Sequence, residues 1–179
     1  MHEIEAFSLH PELIGISLPD APVAADLAAQ ARLSELLAGL NPDWHLMAPF
    51  IKFDAAQYSR HRFFTSAQWE ALVICWLPGQ GTVAHDHGQS WGISSPIFGT
   101  LTETNYRIHG EEAPLEPLVT SHMVPGAVSI ETADTVHVVV NASPLPAVSI
   151  HLYSPPLRRH NAYDIFTGAS WPVAPQVSR

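Results

Sequence analysis

Polar and apolar positions change rhythm once along this chain. In APVAADLAAQARLSELLAGL, residues 21–40, apolar side chains recur every three or four positions, the period of one helical face. That spacing predicts a helix. Asn41-Pro42-Asp43 ends it, since proline cannot extend a helical ladder. The short apolar run WHLMAPFI then predicts a partly helical segment. From about Tyr58 the rhythm becomes that of strands. YSRHRFF, EALVICWL, GISSPIFG, TETNYRI, GAVSIE, VHVVVN and AVSIHLYS are short and rich in β-branched and aromatic residues. Turns such as Pro78-Gly79-Gln80-Gly81 and Pro125-Gly126 separate them. Short strands in succession predict a sandwich or barrel. No helical pattern lies between them, which disfavours a parallel βαβ arrangement. The expected fold is mainly β, in one domain covering residues 1–179. A helical N-terminal region over about 1–56 packs on a β-barrel over about 57–168, and 169–179 form a tail.

Composition narrows the function classes. Hydrophobic residues make up 46% and charged residues 14%, which excludes a disordered chain. Eight Lys+Arg stand against 17 Asp+Glu, a formal net charge of -9. That balance disfavours nucleic acid and anionic membrane as partners. The N-terminal MHEIEAFSLHPELIG has neither a basic nor an apolar leader segment, and no apolar run is long enough to span a bilayer. With Cys75 as the only cysteine, no intramolecular disulfide can form. The expected compartment is the cytoplasm, the expected state a monomer, and Cys75, inside ALVICWL, a buried core residue.

The candidate chemistry lies in the histidines, of which there are 11. In HDHGQSWG, His85 and His87 are two apart, so on a strand both rings face one side and Asp86 the other. Two imidazoles in a barrel interior need a partner, and a metal ion supplies one. A surface pair of histidines would give the same spacing. His137, in ETADTVHVVVN, faces away from Val136, Val138 and Val140 and can complete a facial set of three. In AVSIHLYSPP, Ser149, His151 and Tyr153 share one face, opposite Val148, Ile150 and Leu152. Facing inward, such a polar row could relay protons or hold a polar substrate; facing outward, it would be the wet side of an amphipathic strand. His2, His10, His45, His61, His109, His122 and His160 show no ligand spacing and are expected to be surface or structural residues.

PGQGTVAHDHGQSWG…FGTLTETNY resembles the first metal-binding motif of the cupin superfamily. More specifically, the chain resembles the cysteine dioxygenases and related thiol dioxygenases of bacterial type. YSRHRFF, VICWLPGQG, TVHVVVNASPLPAVSIHLYSPP and AYDIFTG carry the likeness over about residues 42–168. The resemblance implies a double-stranded β-helix (jelly-roll) fold and an Fe(II)-dependent oxidation of L-cysteine, or a close relative such as 3-mercaptopropionate, by O2 to the sulfinic acid. It implies His85, His87 and His137 as iron ligands and Arg60 as the grip on the substrate carboxylate. Tyr153 would stand beside the metal, with His151 bonded to it and Ser149 orienting His151. Trp91 would line the pocket wall, and Tyr58 would share the substrate side with Arg60.

Cupin metal motifs often place a glutamate five residues after the second histidine; here that residue is Gly92. The animal enzymes carry a cysteine there that crosslinks to the tyrosine, so Tyr153 is expected to stay unmodified. Three neutral imidazoles leave the full charge on a divalent metal, and an anionic thiolate substrate can offset it. Arg60 and Arg62 share one face of YSRHRFF, so either could serve as the clamp; the family pattern Tyr-x-Arg favours Arg60, and arginine there tilts the substrate toward cysteine. Two other readings fit the same trio. One is a cupin enzyme acting on a non-thiol substrate. The other is a non-catalytic ligand-binding cupin, its imidazoles loaded with zinc or nickel.

Overall fold

β-Branched runs with small turns between them give an antiparallel sandwich. The computed structural model describes residues 10–20, 23–24, 26–110 and 113–178, so His2 and parts of the N-terminal region lie outside the described residues. The strands are β1 (Ser59–Thr65), β2 (Glu70–Trp76), β3 (Ala84–His85), β4 (Trp91–Phe98), β5 (Leu101–Arg107), β6 (Glu116–Met123), β7 (Ser129–Glu131), β8 (Val136–Val140), β9 (Ala147–Ser154), β10 (His160–Tyr163) and β11 (Ser170–Val173). One sheet runs β1-β2-β9-β4-β7 and the other β11-β10-β3-β8-β5-β6. The paired strands are antiparallel.

The five-stranded sheet is covered on both faces. That explains why β2 and β9 are buried along their whole length and read as nearly continuous apolar runs. On its inner face, Leu72, Ile74, Trp76 and Ala147 meet Leu101, Met123 and Val139 of the opposite sheet. On its outer face, Ala71, Val73, Cys75, Ile93, Ile150 and Leu152 meet the helical region. There α1 (Leu27–Ala38) turns Ala29, Leu33 and Leu37 inward at four-residue spacing. Asp26 caps its start by accepting from the Ala29 amide at 2.9 Å. Asp43 does the same for the short α2 (Trp44–Met47), accepting from the His45 amide at 2.8 Å. The expected helical layer is therefore present where the chain is described, and Cys75 is fully buried beneath it.

Two features differ from the expected boundaries. The stretch expected to form a tail instead forms β11, which pairs with β10 along His160–Tyr163. The segment 174–178 then crosses to β1, where the Ser178 amide donates to the Arg60 carbonyl at 2.7 Å. Proline and polar composition hid this, because an edge strand needs no alternating apolar pattern. No helix among the described residues is long and apolar enough to cross a membrane.

Ile150 sits at 0% exposure in the central strand β9. Ile150→Ala is expected to cost about 2–5 kcal/mol, since it leaves a cavity the two layers cannot close. Denaturant unfolding measures this directly.

Candidate metal centre

Strand pairing brings the histidines together. His85 on β3 lies directly opposite His137 on β8, and His87 follows two residues on. The ring centroids of His85 and His137 are 4.7 Å apart, those of His87 and His137 4.9 Å, and those of His85 and His87 5.1 Å. One nitrogen from each ring lies within 4.8 Å of the others, so the trio forms a possible metal site. β3 is only two residues long, so His87 stands on a turn rather than on a continuing strand. Asp86 holds that turn. Its carboxylate accepts from the Asn161 amide and side chain, each at 2.8 Å, from the Tyr163 hydroxyl at 2.7 Å and from the Gly88 amide at 3.0 Å. Burial alone would raise its pKa; these bonds more than offset that and hold it below the usual carboxylate range.

The unused nitrogens fit a metal. The His85 Nδ1 bonds the Val83 carbonyl at 3.0 Å, and the His137 Nδ1 donates to Glu103 at 2.5 Å. In each ring the Nε2 is left for the interior. Both ring nitrogens of His87 are buried without a partner, which is costly unless a cation takes one of them. Burial first, then the neighbouring histidines, hold His85 and His87 well below the ordinary histidine pKa. They are therefore neutral imidazoles with free lone pairs, as a metal ligand requires. Glu103 is itself buried; burial would raise it, but the bond to His137 and one from Ser129 keep it ionised. It fixes the tautomer and angle of the His137 ring from behind.

The opposite sheet supplies the polar row. Ser149, His151 and Tyr153 do share the inner face of β9. The Trp76 Nε1 donates to the Ser149 Oγ at 2.9 Å, and that oxygen lies 2.8 Å from the His151 Nε2. The Tyr153 hydroxyl lies 3.3 Å from the His151 Nδ1. The arrangement that uses every donor has Ser149 giving its hydrogen to Nε2, and Nδ1–H giving to the tyrosine oxygen. The Tyr153 hydrogen is then free to point elsewhere. Burial, and then the nearby Arg60 charge, lower His151 to about 3, so it is neutral. The Tyr153 ring stacks on His87 at 5.4 Å, and burial pushes its phenol well above the ordinary range.

Arg60 and Arg62 differ in employment. Arg62 pairs with Glu70 at 2.6 Å. Arg60 instead lines a cavity of about 330 Å³ with Tyr58, His85 and His160, and its Nε is buried without a partner. Its charge acts on His85, His151 and Tyr153 alike. Tyr58 reaches the same cavity and stacks on Trp76 at 4.7 Å. Trp91 is a correction. It points to the outer core, edge-on to Trp69 at 6.4 Å, because strand alternation puts Gly92, not Trp91, on the inner face.

Several residues at the site had no expected role. Glu103 and Trp76 act from behind the histidines. His160, expected at the surface or in a structural role, lies 5.7 Å from His85 and lines the cavity. Segment 174–178 walls the same cavity. An acidic residue at an inward strand position was the one signal available for Glu103.

The model for cysteine dioxygenase type I matches residues 22–165. The chain belongs to the cysteine dioxygenase type I family. Cysteine dioxygenase type 1 of Rattus norvegicus is 32% identical over 140 residues, covering 72% of this chain and 65% of that protein. The chain thus spans just under two thirds of the length of such relatives. Among solved structures, a Thermus thermophilus protein aligns with TM-score 0.52 at 18% identity, over 61% of this chain and 93% of that one. A Klebsiella pneumoniae protein with a double-stranded β-helix domain aligns with TM-score 0.51 at 15% identity, over 72% and 87%. These likenesses bear on the fold, which is the cupin double-stranded β-helix that the family resemblance implies.

Asp86→Ala removes four hydrogen bonds from the turn between two candidate ligands. It is expected to lower both thermal stability and divalent-metal affinity, the latter by about 10- to 100-fold. Metal titration beside a melting curve checks both.

Proposed function

We propose that this protein is an iron-dependent thiol dioxygenase that oxidises L-cysteine, or a closely related small thiol, to its sulfinic acid. Both atoms of O2 end on sulfur, so RSH + O2 gives RSO2H with no further reductant. The observation that carries this reading is the clustered His85, His87 and His137 trio, with Tyr153 of the Ser149-His151-Tyr153 row stacked on His87 and Arg60 lining the cavity that His85 also lines. Ferrous iron held by the three imidazoles would supply a site for the thiolate and for oxygen activation.

The chain's own residues do the rest. Arg60 offers the cavity an uncommitted guanidinium, suited to a carboxylate by its paired donors. Arg62 cannot share that role, because Glu70 already neutralises it. Tyr153, with its oxygen engaged by His151, presents a hydroxyl hydrogen to a bound anion. Burial keeps that phenol protonated, so it acts as a donor and not as a base. Tyr58 and segment 174–178 line the same cavity as Arg60 and would flank a bound carboxylate.

Anaerobic Fe(II) loading followed by oxygen uptake and mass analysis of the product tests the reading. Thiol-dependent uptake with gain of two oxygen atoms is expected; no uptake with cysteine, 3-mercaptopropionate or cysteamine would sink it. Arg60→Gln is expected to raise KM for cysteine by roughly 10- to 100-fold, the loss of a charge-assisted bond worth about 1.5–3 kcal/mol. It should spare 3-mercaptopropionate better. Tyr153→Phe is expected to bind iron normally and slow turnover, as read by metal content and kcat.

A further inference from the structure

Gly92 lies between two strands in a row of cross-strand neighbours. Tyr153 on β9 is its partner on one side, and Glu131 on β7 its partner on the other. All three sit on the inner face of the sheet, and the middle residue has no side chain. The outer two therefore lean over it. A Cβ built on Gly92 would lie 3.0 Å from both Cδ1 and Cε1 of the Tyr153 ring, and closer still to the Glu131 Oε2. The space that a side chain at position 92 would fill is already occupied, and a carboxyl group fills it.

Glu131 is an odd residue to find there. It is at 0% exposure. Its Oε1 accepts from the Ser94 hydroxyl at 2.7 Å, which anchors the carboxyl on the neighbouring residue of the same face. Its Oε2, the atom over Gly92, is buried with no hydrogen-bond partner. A buried carboxyl oxygen left unpaired against an aromatic ring is a cost that packing alone does not require, since an apolar side chain would fill the slot without it. Burial raises Glu131 to about 7, so near neutrality much of it is the uncharged acid, which makes the placement tolerable. Glu103 and His137 face it from the other sheet.

We propose that Glu131 is a positioning residue for Tyr153: anchored by Ser94, its carboxyl group fills the slot over Gly92 and props the phenol ring at the angle that stacks it on His87. In this chain a noncovalent wedge holds the ring, and Gly92 and Glu131 are a coupled pair, each requiring the other. The consequence for turnover rests on the thiol dioxygenase reading; the packing relation does not.

The test has an arm for each part. In a double-mutant cycle followed by thermal unfolding, Gly92→Ala is expected to lower Tm by about 2–4 °C or more in the presence of Glu131. In the Glu131→Ala background the same change should be neutral or stabilising, because the added methyl enters the vacated slot. An equal loss in both backgrounds would overturn the coupling. For the ring itself, 3-fluorotyrosine placed at position 153 reports position by its fluorine resonance without any turnover. Glu131→Ala should shift and broaden that resonance, and Glu131→Gln, of the same shape, should restore it. An unmoved resonance in Glu131→Ala overturns the positioning role. In iron-loaded protein, Glu131→Ala is expected to lower kcat about tenfold with little change in KM. Added to Tyr153→Phe it should cost nothing more; an equal further loss there marks Glu131 as merely structural. If the wild-type protein shows no thiol-dependent uptake, the function reading fails, and the cycle and the resonance still decide the case of Glu131.

Discussion

Three imidazole rings, tilted and edge-on to one another with centroids about 5 Å apart, constrain everything around them. Such a cluster cannot carry three positive charges, since like charges at this distance repel and burial penalises each of them. His85 and His87 are accordingly held neutral. Neutral imidazoles in turn expose lone pairs that the fold leaves unanswered, most plainly at His87. The surrounding groups answer the rear nitrogens of His85 and His137 and leave both nitrogens of His87 open. Val83 takes the back of His85, Glu103 takes the back of His137, and Asp86 fastens the turn that carries His87. Hydrogen bonding is spent on aiming the rings and withheld from the gap between them. A cation in that gap would complete the pattern.

The acids around this centre obey the same constraint. Glu103 is held low by its bond to the His137 ring; Glu131, fully buried and without such a bond, drifts toward the neutral acid because burial penalises its charge. Neither is one of the three residues facing the gap. A divalent metal there would keep its full charge, and an anionic ligand would be the natural complement. Arg60, uncommitted and on the other sheet, supplies a second positive point for a ligand with two anionic ends. A thiolate joined to a carboxylate has that charge pattern.

Much of this was legible in the sequence, and for a simple reason. Period-two alternation fixes which residues share a face, so Ser149, His151 and Tyr153 fall together on the sequence pattern alone. The pairing of His85 with His137 could not be derived so directly. It depends on β3 meeting β8 across about fifty residues of chain; strand periodicity offered His137 as a third member, and the family resemblance singled it out. Of the residues that act from behind, Glu103 offered only an acid at an inward strand position, and Trp76 and Glu131 were passed over, because a strand-borne acid or indole carries no local mark of which partner it will face. His160 was passed over for the same reason: it shares no spacing with the other three and reaches His85 only through the β10–β3 pairing.

The one misplaced site residue shows how sharp the alternation is. Trp91 and Gly92 are adjacent, and both look like pocket candidates when read along HDHGQSWG. The sheet separates them completely: Trp91 goes outward to Trp69 and the helical layer, Gly92 inward to Tyr153. A one-residue slip in register would bring an indole into the space where the tyrosine and the carboxyl now meet, and would turn His151 and Tyr153 into the apolar layer. The long apolar runs of β2 and β9 do not by themselves forbid that slip, because both faces of this sheet are buried. What forbids it is the polar row, since Ser149, His151 and Glu131 find partners only on the inner side. The residues proposed for chemistry thus also hold the register of the sheet that presents them.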